Sequence, residues 1–92
     1  MIKSFRCKDT KALYEGGDPK KFGGFKAQAQ RKLEMLDAAR VIEDLYLPHG
    51  NRTKKMAGDR EGQWSTRIND QWRVCFRFED GCAYDVEIID YH

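Results

Sequence analysis

Ninety-two residues, with 17 Lys+Arg against 15 Asp+Glu, 40% apolar and 35% charged, suit one folded domain over residues 1–92 and leave no length for a second. No apolar run approaches the roughly 20 residues of a membrane-spanning helix, and charge follows the opening residues 1–6 at once. Neither a membrane partner nor a leader is therefore expected. Cys7, Cys75 and Cys82 are odd in number and lack C-x-x-C spacing, which argues against a disulfide framework or zinc site and for a reducing cytoplasm. No Gly-rich phosphate loop occurs, and no cofactor or metal is expected.

In chain order, Ile2 to Phe5 reads as an edge strand. Asp9 or Thr10 can cap a short helix over Lys11 to Glu15, which Gly16-Gly17 stops. Pro19, two lysines and Gly23-Gly24 mark residues 18–24 as a loop. Ala29, Leu33, Leu36 and Ala39 recur at helical spacing, predicting a helix over Lys26 to Ala39, with a further turn or two through Val41, Ile42 and Leu45. After the loop Leu47 to Asn51 the period changes to two. Short strands are predicted over Thr53 to Ala57 and Gln63 to Ile68, separated by the turn Gly58 to Gly62.

An Asn69-Asp70 turn leads into the clearest strand, Gln71 to Phe78, in which Trp72, Val74, Phe76 and Phe78 alternate with Arg73, Cys75 and Arg77. Glu79-Asp80-Gly81 then turns the chain into Cys82 to Ile89, with Tyr84, Val86 and Ile88 alternating against Asp85 and Glu87. The predicted class is α+β: N-terminal helices packed on one face of a small, mostly antiparallel sheet.

Charge is distributed unevenly along this plan. Residues 52–77 hold seven basic side chains (Arg52, Lys54, Lys55, Arg60, Arg67, Arg73, Arg77) against three acidic ones, whereas residues 79–92 hold five acidic and no Lys or Arg. Arg73 and Arg77 fall on the sheet face opposite the aromatic row, where Arg67 of the neighbouring strand can join them. Guanidinium forks on an exposed face suit phosphate oxygens, but cross-strand pairing with Asp85 and Glu87 would satisfy the same charges. From spacing alone both readings stand.

The run Gly58-Asp59-Arg60-Glu61-Gly62-Gln63-Trp64-Ser65-Thr66-Arg67-Ile68-Asn69-Asp70-Gln71-Trp72-Arg73-Val74-Cys75-Phe76 resembles the signature of the HigB branch of the RelE/ParE toxin superfamily. The ending Val86-Glu87-Ile88-Ile89-Asp90-Tyr91-His92 is similar to that branch's C-terminal motif, and the opening strand, the Arg31 to Ala39 helix and Pro48 to Arg52 also fit. This resemblance implies a RelE-like fold and a plasmid-maintenance "killer" protein, the toxin of a type II toxin–antitoxin pair. It implies a ribosome-dependent mRNA endonuclease partnered by a HigA-like helix-turn-helix antitoxin, with operator DNA reached only through that antitoxin.

It further implies catalytic roles for Arg73, Tyr91 and His92, with Arg67 on the same concave face. Arg52, Lys54, Lys55, Arg60 and Arg77 are the expected RNA and ribosome contacts. Some relatives carry a lysine where Ala57 stands here and a histidine where Lys54 stands. Either Lys54 or Lys55 could supply the missing cation, and strand alternation lets only one face the site. A gyrase-binding toxin of the ParE type would share the fold and need an antitoxin but not His92, and a non-catalytic nucleic-acid module would use the basic face without needing Tyr91 and His92.

Overall fold

The computed structural model describes residues 1–91; His92, one of the expected catalytic residues, lies outside the described residues. Two α-helices, α1 (Lys8–Tyr14) and α2 (Lys26–Ala38), pack on one face of a four-stranded antiparallel sheet. Its strands are β1 (Lys54–Lys55), β2 (Trp64–Arg67), β3 (Trp72–Glu79) and β4 (Cys82–Asp90), in that spatial order. Ile2 and Phe5 form isolated parallel bridges to Ala83 and Val86, so the opening segment runs along β4 as expected of an edge strand.

The core follows the predicted periodicities. Ala29, Leu33 and Leu36 on α2 meet Val74, Phe76 and Ile88 on the sheet, all buried. Trp72 is half-buried on the same side, edge-on to Phe22 and tilted against Phe25. Those two rings belong to a 3-10 helix over Lys20–Phe25, where the sequence suggests a loop. Pro19 and the paired glycines signal a break in α-helix, yet Phe22 and Phe25, three residues apart, share one face of a 3-10 turn and bury it.

Helix α1 begins three residues earlier than predicted, after Cys7. Thr10 caps nothing: fully buried, its Oγ1 accepts the backbone N–H of Ile88 at 3.0 Å and ties α1 to β4.

One departure changes the face of several side chains. Cys75 pairs with Glu87, but two residues later Arg77 pairs with Tyr84, so β4 carries one extra residue between them. Asp85, at φ +54°, sits in this bulge. A one-residue slip exchanges the two faces of a strand. Ala83, fully buried, therefore takes the core side where Tyr84 was expected, and Tyr84 turns outward beside Arg77.

Candidate active site

The sheet face opposite the helices is where Arg73 was expected to open into a cleft. Within the β2–β3 hairpin, Asn69 Oδ1 accepts the backbone N–H groups of Gln71 (2.9 Å) and Trp72 (2.8 Å), an Asx turn that fixes the register. That register sets Arg67 directly opposite Arg73, and β4 adds Ile89 on Arg73's other side. The Tyr91 backbone N–H donates to the Gln71 carbonyl at 2.6 Å, so the chain beyond β4 continues the pairing and carries Tyr91 onto this face.

Arg73 is more enclosed than a residue on an open sheet face: only 6% of it is exposed. Its Nε donates to Ser65 Oγ at 2.8 Å, and one terminal nitrogen donates to the carbonyls of Arg52 and Ser65. The segment leading into β1 folds over the sheet and brings the Arg52 carbonyl down onto the guanidinium, with Arg52 in the left-handed region (φ 45°, ψ 48°). Burial lowers the pKa of Arg73, with the Arg67 and Arg52 charges adding to the effect, while the nearby Cys75 and Tyr91 oppose it. The second terminal nitrogen, Nη1, makes no hydrogen bond among the described residues.

Around Arg73 a cavity of about 440 Å³ is lined by Arg52, Lys54, Arg67, Asn69, Asp70 and Tyr91. Four cations face a single carboxylate, and that carboxylate, Asp70, is already hydrogen-bonded to Arg67. A concave site with such an excess of positive charge concentrates field lines and attracts polyanions.

Of the two lysines of β1, Lys54 is the one on the face of the site. It pairs with Ser65, on the Arg73 face, while Lys55 pairs with Trp64 on the other face. Lys54 Nζ donates to Tyr91 Oη at 3.0 Å and lies 4.7 Å from the ring centroid. Arg73 approaches the same ring at 5.6 Å. The Lys54 hydrogen bond and charge, reinforced by Arg73, hold the Tyr91 phenol below the usual tyrosine range.

The remaining expected RNA contacts do not converge here. Lys55 lies 5.5 Å over Trp64. Arg60 pairs with Glu87 at 3.1 Å and Gln63 at 3.2 Å. Arg77, expected to share Arg73's cradle, is instead held by Asp85 and Glu79, each at 2.9 Å, because the bulge sets Asp85 beside it. Cross-strand neutralisation thus accounts for Arg77 and Arg60. It does not account for Arg52, Lys54, Arg67 or Arg73.

Ser65 is not singled out by the sequence, although the pairing of Arg67 with Arg73 puts Ser65 on the same face, one pair further along. Asn51, fully buried beneath the Arg52 turn, leaves no sequence signal beyond its place in a loop.

The sequence pattern of one family, described as the RelE-like toxin of type II toxin-antitoxin system HigB, matches residues 3–92. The chain is 37% identical over 100 aligned positions to the Endoribonuclease HigB of Proteus vulgaris, covering the whole of both proteins. In fold it is similar to YafQ from E. coli, with a TM-score of 0.63 at 12% identity over 98% of this chain and 91% of that one. It is also similar to a chain of the YoeB-YefM complex from Staphylococcus aureus, with a TM-score of 0.56 at 18% identity over 100% and 95%.

Proposed function

We propose, from the premise that this chain belongs to the HigB-like family of RelE-like toxins of type II toxin–antitoxin systems, that it is a metal-independent endoribonuclease that cleaves translated mRNA at the ribosome, in the cytoplasm. The observation that carries the reading is the convergence of Arg52, Lys54, Arg67 and Arg73 with Tyr91 around one cleft.

RNA supplies its own nucleophile. Removal of the 2′-OH proton lets that oxygen attack the adjacent phosphorus. The P–O5′ bond then breaks, leaving a 2′,3′-cyclic phosphate and a 5′-hydroxyl once the leaving oxygen has taken a proton. Charge builds on the non-bridging oxygens in the transition state, and donors already fixed in place stabilise it without reorganising. Arg73, held through Ser65 and the Arg52 carbonyl and lining the cavity, suits that task, and Arg67 adds a second guanidinium.

Tyr91, its phenol acidified by Lys54, and His92 supply proton transfer at the two ends of the reaction. Lys54 thus stands in for the lysine replaced by Ala57. The ribosome's contribution is to hold the mRNA in line for attack, an orientational gain that a small open cleft does not provide by itself. The expected partner is a HigA-like helix-turn-helix antitoxin, which alone contacts operator DNA.

Primer extension on translated mRNA after induction tests the reading. Codon-linked breaks that vanish in Arg73→Ala and in a chain ending at Asp90 support it. Intact mRNA with trapped gyrase–DNA complexes would overturn it.

A further inference from the structure

We propose that Asn51, held by Lys32 of α2, is a positioning residue that sets the phosphate-binding orientation of Arg73 through the Arg52 carbonyl. The inference rests on the role given to Arg73 above and adds to it a device outside the cleft.

Asn51 is fully buried yet polar, and its side-chain amide and backbone N–H are all engaged. Its Nδ2 donates to the carbonyls of Leu45 (3.2 Å) and Leu47 (3.4 Å), and its backbone N–H donates to the Pro48 carbonyl at 3.0 Å. Its Oδ1 accepts from the Lys32 ammonium. Thr53 Oγ1 donates to the same Leu45 carbonyl at 2.6 Å and lies 3.2 Å from the Thr66 hydroxyl of β2. Residues 45–53 are thereby fastened to helix on one side and to sheet on the other.

The next residue carries the consequence. Arg52 takes the left-handed conformation that its non-glycine side chain ordinarily avoids. That conformation coincides with the carbonyl meeting Arg73 while the Arg52 side chain lines the cavity. A non-glycine residue persists there when its surroundings over-determine it, and at functional sites such geometry serves preorganisation. The Asn51 network supplies that constraint.

Lys32 fits this role better than one of solvated surface charge. It is half-buried, and burial together with Arg31 and Arg67 lowers its pKa. An ammonium in that position is retained by a specific acceptor, which Asn51 provides.

Asn51→Asp keeps the size and the acceptor for Lys32 but loses both donations to the Leu45 and Leu47 carbonyls. Lys32→Met removes the helix tether and leaves Asn51 Oδ1 unpaired but keeps both Nδ2 donations, so it serves if Asn51→Asp does not fold. Two readouts are needed: mRNA cleavage by each variant, alone and combined with Arg73→Lys, and hydrogen exchange of the Arg73 Nε–H followed by NMR. Displacing a preorganised group by about 1 Å can cost on the order of 100-fold in rate. With Arg73 intact, the expected result is a loss of cleavage on the order of 10- to 100-fold and faster Nε–H exchange. When Arg73→Lys is already present, little further loss is expected.

The same loss with and without Arg73→Lys, or unchanged Nε–H exchange, overturns the proposal and leaves Asn51 a purely structural residue. If Arg73→Lys alone leaves cleavage intact, the function proposed for Arg73 fails first. That result is read from the single variant, independently of Asn51.

Discussion

Replacing Arg73 by Met separates catalysis from stability, because the same side chain is engaged by the fold and lines the cleft. Met roughly keeps the volume of the stem and removes three donations, to Ser65 Oγ and to the carbonyls of Ser65 and Arg52. Hydrogen bonds from a charged donor contribute about 1.5–3 kcal/mol each, and an acceptor left dry costs about 1–3 kcal/mol. Against this, Met relieves the burial of a cation whose nearest charged neighbours include Arg67 and Arg52.

The two effects largely offset, giving a net loss of about 1–2 kcal/mol. For a chain of this size that is a fall in unfolding midpoint of roughly 4–16 °C. Cleavage should fall much further, by about 10²–10³, since the lost group acts on charge that develops only in the transition state. Thermal unfolding and cleavage are measured on the same preparation below the variant's midpoint. A cleavage loss no greater than the loss of folded protein would refute the argument and make Arg73 a structural residue.

Lys54→Met should reduce cleavage more than Lys55→Met, because only Lys54 reaches Tyr91; equal losses in the two variants would count against the assignment. The Tyr91 phenol should ionise at lower pH than a free tyrosine, and Lys54→Met should move it back up, as read by phenolate absorbance against a Tyr91→Phe control. A lowered acid stabilises the fold fully only above its unfolded value of about 10 and loses that contribution as pH falls through the folded value. Stability at neutral pH should therefore not respond to this ionisation. Phe22→Ala, at a fully buried aromatic packed against Phe25 and Trp72, should cost about 3–5 kcal/mol in denaturant unfolding.

The alternation Trp72, Val74, Phe76 against Arg73 is enough to place the helices on one side and the cleft on the other, because both periods are local properties of the chain. The bulge at Asp85 is not legible. Ala83 and Tyr84 can each face inward in a plausible strand, and the choice is made by pairing with β3. For the same reason Arg77 reads as a companion of Arg73 and proves to be the partner of Asp85.

Strand alternation presents Lys54 and Lys55 as alternatives, but only the pairing of Lys54 with Ser65 decides between them. The enclosure of Arg73 depends on a loop closing over the sheet and bonding to α2. Contacts so distant in sequence leave no spacing to read.

The opening segment has a bearing on how the molecule comes into being. Ile2 and Phe5 bridge to Ala83 and Val86, the Ile2 N–H donates to Asp37 of α2, and Thr10 bonds to Ile88. The two bridges and the Thr10 bond can thus form only once β4 has been made. Such non-local closure is slow, since the loop must be ordered before its contacts form. Tyr91 follows β4 directly, so a nascent chain long enough to carry Arg73 still lacks the wall of the cleft that Tyr91 provides. The cleft is therefore completed late in chain order, by the residue that follows the strand closing the sheet.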